Sequence, residues 1–194
     1  MAVVATEGDT NRISGEVALS LETGKTINLN NPVSKPRLLE LYEDLCLDWK
    51  KKNHSLRSKQ LKPDQIKTYI KEQFKNAEQY MLQKKHQIDE VFQLDVEYEA
   101  ESPKVKEYKQ VTIQNLQLCI YSKKYSAGPQ HPSSAHEGKI VEALGSLVSE
   151  CYWLGCLMAL NNPPFHPDWE NHPPSSQKWD IFPQTTQYSK ASYV

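Results

Sequence analysis

The sequence predicts a mainly α-helical fold: a small helical bundle with an N-terminal β-hairpin and an extended C-terminal tail rich in proline and aromatic residues. Three observations predict it. Apolar residues recur at three- and four-residue steps through three long segments. One short stretch near the start alternates apolar with polar residues instead. After Asn162, prolines interleave with aromatic residues and leave little room for regular structure. The 194 residues suffice for one domain with tails. The expected division is a disordered N-terminus over 1–11, a domain over 12–161 and the tail over 162–194.

The hairpin is expected over Ile13–Leu29. Val17, Leu19 and Leu21 alternate with Ala18 and Ser20, Thr23-Gly24-Lys25 supplies the turn, and Ile27 and Leu29 resume the alternation. Two strands alone are marginal, so the hairpin needs a surface to lie on. The first helix is expected over Lys35–Lys52, with Ser34 as N-cap and Pro36 in the first turn. Leu38, Leu41, Tyr42, Leu45 and Trp49 form its apolar stripe, and Asn53-His54-Ser55 its stop.

A second helix is expected from Pro63 to Phe92, because proline followed by Asp64 is a start signal. Ile66, Ile70, Phe74, Ala77, Met81, Ile88 and Phe92 share a face. At 1.5 Å per residue it spans about 45 Å, more than a small domain requires. It either projects or is covered in part by another chain, as in a coiled coil. Asp95 to Pro103 reads as a linker. Val111–Tyr121 fits both periods: Val111, Ile113, Leu116, Leu118 and Ile120 nearly alternate, while Ile113, Leu116 and Ile120 fit a helix. The neighbouring helices favour a helix.

The last helix is expected to begin at the capping-box sequence Ser134-Ala135-His136-Glu137 and to stop at Asn161-Asn162-Pro163-Pro164. Ile140, Val141, Leu144, Leu147, Val148, Cys151, Leu154 and Met158 follow helical spacing. From Cys151 on it is apolar all round, which demands burial on every side. The aromatics Phe165, Trp169, Trp179 and Phe182 should pin part of the tail onto the domain or a partner.

Charge gives little direction. Lys+Arg 23 against Asp+Glu 24 leaves a formal net charge of -1, so the chain has no global attraction for nucleic acid or anionic lipid. Locally, Lys50, Lys51, Lys52, Arg57, Lys59 and Lys62 form a basic run, which offers possible phosphate contacts. Asp89, Glu90, Asp95, Glu97, Glu99 and Glu101 form an acidic one. Cys46, Cys119, Cys151 and Cys156 lack C-x-x-C spacing, and the first ten residues lack the pattern of a secretory signal. Cytoplasm or nucleus is the expected location.

No chemistry-bearing motif stands out. Gly-x-Ser-x-Gly, a glycine-rich phosphate loop and His-Glu-x-x-His are all missing from the sequence. Cys151 and Cys156 fall on different faces of a helix, so no catalytic residue, cofactor or metal site is expected. The carboxyl end, Ser192-Tyr193-Val194, has the form that PDZ-type domains capture.

Small residues on the last helix are the most distinctive pattern. Cys151, Gly155 and Ala159 recur at four-residue steps, and Gly145 and Ser149 extend the idea on a neighbouring row. Such rows let helix backbones approach closely, either inside the domain or against a partner. Ala143-Leu144-Gly145-Ser146 followed by Tyr152, Gly155 and Ala159 resembles the tyrosine–glycine box of the survival motor neuron family. That resemblance implies helix-mediated oligomerisation. Cys156 stands where that family repeats tyrosine and Ala159 where it repeats glycine, and the resemblance covers only this stretch.

The chain is therefore expected to be a non-catalytic subunit or adaptor that binds protein partners, as a hetero- or homo-oligomer. The expected contact residues are Gly145, Ser149, Tyr152, Gly155 and Ala159, then Phe74, Met81 and Phe92, then Trp169 and Trp179. The alternative is a nucleic-acid or phospholipid-binding module that uses Lys50–Lys62.

Overall fold

The computed structural model describes residues 31–57, 61–92, 102–123, 135–172 and 178–189, at 135–137 by backbone alone. The expected disordered N-terminus, the Ile13–Leu29 hairpin, the Ser134 cap, most of the acidic run, Lys59 and the Ser192-Tyr193-Val194 end lie outside these residues. The described chain is mainly helical, with five helices and one small antiparallel sheet.

Helix α1 spans Lys35–Leu56. Ser34 holds the N-cap position with extended backbone, but its side chain makes no cap bond. Asn31 organises the entry instead: its carboxamide oxygen accepts from Val33 N–H and its carbonyl from Ser34 N–H, each at 3.1 Å. Leu38, Tyr42, Leu45 and Trp49 are buried as their spacing requires. The helix runs past the expected stop at Lys52 because Leu56 continues the stripe and is itself buried.

Helix α2 spans Pro63–Phe92, the expected range. Ile66, Ile70, Phe74, Ala77 and Met81 are buried, whereas Ile88 and Phe92 are half-buried. Helix α3 spans Pro103–Ser122, so Val111–Tyr121 is helical. The helical triplet Ile113, Leu116 and Ile120 packs on a cluster of Ala77, Met81, Tyr152, Cys156, Ala159 and Leu160. The β-branched residues yield to that packing.

The expected single last helix is two helices. α4 spans Ala135–Leu144 and α5 spans Ser146–Leu160, with a 91° bend between them. The break lies at Gly145, whose φ of 57° and ψ of -129° suit glycine alone. Helical spacing continues through the break, so periodicity could not reveal it.

α5 is the centre of the molecule. Every residue from Cys151 to Leu160 is buried, as are Leu147 and Val148. α2 contacts it most extensively, and α1, α3 and α4 also border it. Among the described residues no single helix is long and apolar enough to cross a membrane.

The tail folds back over the bundle and forms a two-stranded antiparallel sheet, β1 at Phe165–Pro167 and β2 at Thr186–Tyr188. Its described part is held at several points along α1 and α2. Tyr42 OH donates to the Pro183 carbonyl at 2.8 Å, and Trp49 Nε1–H to the Trp179 carbonyl at 2.8 Å. Ser189 OH donates to Glu78 Oε1 at 2.5 Å. Trp179 stacks on Trp49 with ring centroids 6.3 Å apart, and Phe182 meets Tyr42 edge-on at 6.2 Å.

Candidate interaction surface

The structure distributes the expected contact residues unevenly. Phe74, Met81, Tyr152, Gly155 and Ala159 are buried within the chain's own core. A Cβ placed on Gly155 would lie 2.9 Å from Ala77 Cβ and 3.2 Å from Phe74 Cδ1, so the small-residue row brings α5 against α2. Ser149 is half-buried, and Gly145 is exposed at the bend. Trp169 and Trp179 are half-buried and pack onto the core as part of the returning tail. Phe92 remains half-buried at the end of α2.

The basic run is partly engaged. Lys51 pairs with Asp48 at 3.0 Å, and Lys52 Nζ reaches Ser146 Oγ at 3.5 Å. The Arg57 guanidinium lies 5.8 Å from the Trp179 ring. Lys50 and Lys62 are exposed.

Sequence spacing missed the polar groups that finish α5. The last carbonyls of a helix lack partners within it. Here Gln117 Nε2 of α3 donates to Leu157 O at 2.8 Å, and Lys85 Nζ of α2 donates to Ala159 O at 2.7 Å. Asn161 N–H reaches Met158 O at 3.3 Å. Burial lowers the pKa of the Lys85 amine, with Glu78 and Asp89 opposing the shift. A cation at this end also complements the helix dipole.

A groove of about 770 Å³ opens beside this junction, between α2, α3, the end of α5 and the sheet. Glu78, Lys85, His86, Asp89, His166 and Glu170 line it. Several of these groups already have partners. Glu78 accepts from Ser189, Asp89 pairs with Lys109 at 3.3 Å, and His86 approaches Glu90 at 3.3 Å. Among the described residues no group of His, Cys, Asp and Glu is placed to hold a metal ion.

The thiols are disposed for packing. All four cysteines are free. Burial raises Cys46 to about 11 and Cys156 to about 12, and lifts Cys151 well above its ordinary value. Those three stay protonated and poorly nucleophilic near neutral pH. Cys119 is exposed on α3.

Beyond the groove, α2 and α3 continue alongside each other. Of the 20 residues of α3, Gln117 alone is buried. Tyr108 is 57% exposed and Val111 44%, while on α2 Leu82 is 53% and Val91 77% exposed. Lys109–Asp89 ties the two helices together. These four apolar side chains are thus left uncovered by the rest of the described chain, Leu82 on the groove itself and Val91 on the opposite side of α2. Spacing alone placed these residues on helices without showing which of them a neighbour covers. Comparison with protein-family models, curated proteins and solved structures finds no match to this chain.

Proposed function

We propose that this chain is a non-catalytic interaction subunit or adaptor in the cytoplasm or nucleus, and that it binds a protein partner through the outer faces of α2 and α3. One observation carries this proposal: α3 is a 20-residue helix with a single buried residue, a polar one. Ile113, Leu116 and Ile120 give α3 one packed face, and most of its remaining surface is left uncovered by its own domain, although helical stability in proteins comes mostly from packing. Tyr108, Val111, Leu82 and Val91 supply the kind of apolar surface that interfaces bury. The row Cys151, Gly155 and Ala159 serves the fold instead, by seating α5 against α2. Four free cysteines agree with a reducing compartment.

The test is affinity purification of the tagged chain from its native cells, beside a Val91→Lys/Val111→Lys variant. Both positions are exposed, so the variant should keep its stability within about 0.5 kcal/mol. Stoichiometric companions that accompany the wild type and leave the variant are expected. A wild-type chain recovered alone and monomeric, or companions indifferent to the variant, would overturn the proposal.

A further inference from the structure

The groove beside the end of α5 is long. Along α2 it runs from Lys75 to Asp89, about 21 Å at the helical rise. At one end its far wall is α3, tied to α2 by Lys109–Asp89. At the other end the far wall is the sheet, tied to α2 by Ser189–Glu78. That length matches about six residues of extended chain.

Its charges cancel. Glu78, Asp89 and Glu170 line it, and three amines offset them: Lys75 and Lys85 in its wall, and Lys109 at 3.3 Å from Asp89. Such a groove attracts neither an acidic nor a basic ligand. Its hydrogen-bonding groups are of both kinds, since Gln79, Gln110, Asn161, Asn162 and Gln187 all line it. Asn162 Nδ2 donates to Gln110 Oε1 at 3.2 Å and Asn161 Nδ2 to Pro163 O at 2.8 Å. Among the described residues, the carboxamides of Gln79 and Gln187 have no partner, and Lys85 uses one of its three donors, on Ala159 O. Between these polar groups lie exposed Leu82 and half-buried Ile113.

An extended peptide complements this wall, because each of its residues carries a free donor and a free acceptor. A helix has already paired those groups along its own backbone. We propose that the groove binds an extended, uncharged peptide segment of about six residues, with an apolar side chain seated on Leu82 and Ile113. The segment belongs to a protein partner, so the proposal rests on the reading of the chain as an interaction subunit. It adds to the outer-face contacts a groove that selects the partner's sequence.

Selection from a displayed random hexapeptide library on the full chain, then titration of the best binders as capped synthetic peptides, tests it. Uncharged sequences with a leucine-sized apolar residue are expected to be enriched. Leu82→Asp should weaken the best of them by about tenfold or more. Val91→Lys/Val111→Lys, away from the groove, should leave their binding unchanged. Gln79→Lys, at another exposed groove position, should weaken them too, and serves where Leu82→Asp disturbs the fold. Enrichment of acidic or basic sequences, or binding indifferent to both groove variants, would overturn the proposal. So would enrichment that appears only once residues 190–194 are removed, which would assign the groove to the chain's own end. Neutral oligosaccharides bound in place of any peptide would assign it to sugars. No enrichment beside cellular companions that the outer-face variant releases would sink the groove alone. Enrichment without such companions would sink the outer-face contact alone.

Discussion

Gly155 of α5 faces Ala77 of α2 so closely that a Cβ on the glycine would come within 2.9 Å of the alanine Cβ. Atoms fixed to two backbones cannot rotate apart, so Gly155→Ala forces the helices to separate. Overpacking costs about 1–3 kcal/mol, and the better helix propensity of alanine returns at most about 1 kcal/mol. Denaturant unfolding should show a net loss of about 1–2 kcal/mol. The loss should shrink when Ala77→Gly is added, because the pair shares one contact. Additive effects would show that the contact is not close in solution.

The other described glycines should respond differently. A Cβ on Gly145 meets nothing within 4 Å, but its φ of 57° is strained for any L residue. Gly145→Ala should therefore cost about 1–3 kcal/mol through the backbone alone. Gly138, inside α4, also has open space around it and no such φ. Gly138→Ala should stabilise by up to about 1 kcal/mol. Thermal unfolding of the two variants checks the opposite signs.

Two buried glutamines give a second pair of opposite signs. Gln117 satisfies Leu157 O at the end of α5, and Gln117→Leu leaves that carbonyl unpaired, at a cost of about 1–3 kcal/mol. Gln73 is also buried, but its Oε1 has no partner and its Nε2 reaches Tyr69 O only at 3.5 Å. Gln73→Leu should raise stability by about 1 kcal/mol. Equilibrium unfolding in urea measures both.

Stability should fall at alkaline pH in part through Cys156. Burial raises this thiol from 9.0 to about 12. The folded chain therefore keeps a proton that the unfolded chain releases. The contribution is complete below about pH 9 and is lost as pH climbs through the folded value. Between pH 8 and 11 the wild type should lose more stability than Cys156→Ala. With a thiol reagent at pH 8, exposed Cys119 should react first, and Cys151 and Cys156 only on unfolding.

Much of the helical content was legible in local spacing. Pro63-Asp64 marked the start of α2, and the stripe Leu38, Tyr42, Leu45 and Trp49 named the buried face of α1. Val111–Tyr121 was undecided because a slipped alternation and a helical triplet coexist there. Packing of Ile113, Leu116 and Ile120 on the second apolar cluster resolves it. The candidate surface was less legible. Phe74, Met81 and Gly155 looked like contact residues because they are apolar or small at regular steps, and a neighbour in the same chain covers each of them.

The sequence by itself determined which segments are helical, which face of each is apolar and that the last apolar stretch must be surrounded. These are properties of backbone sterics and side-chain period, and both act within a few residues. Only the tertiary structure decided that α5 lies against α2 at Gly155 and Ala77, that the chain turns through 91° at Gly145, and that Tyr42 and Trp49 hold the returning tail. It also decided that Tyr108, Val111, Leu82 and Val91 face outward. Periodicity states that a face needs cover. Which atoms supply the cover depends on close packing between segments far apart in the chain, and spacing along one segment carries no record of that.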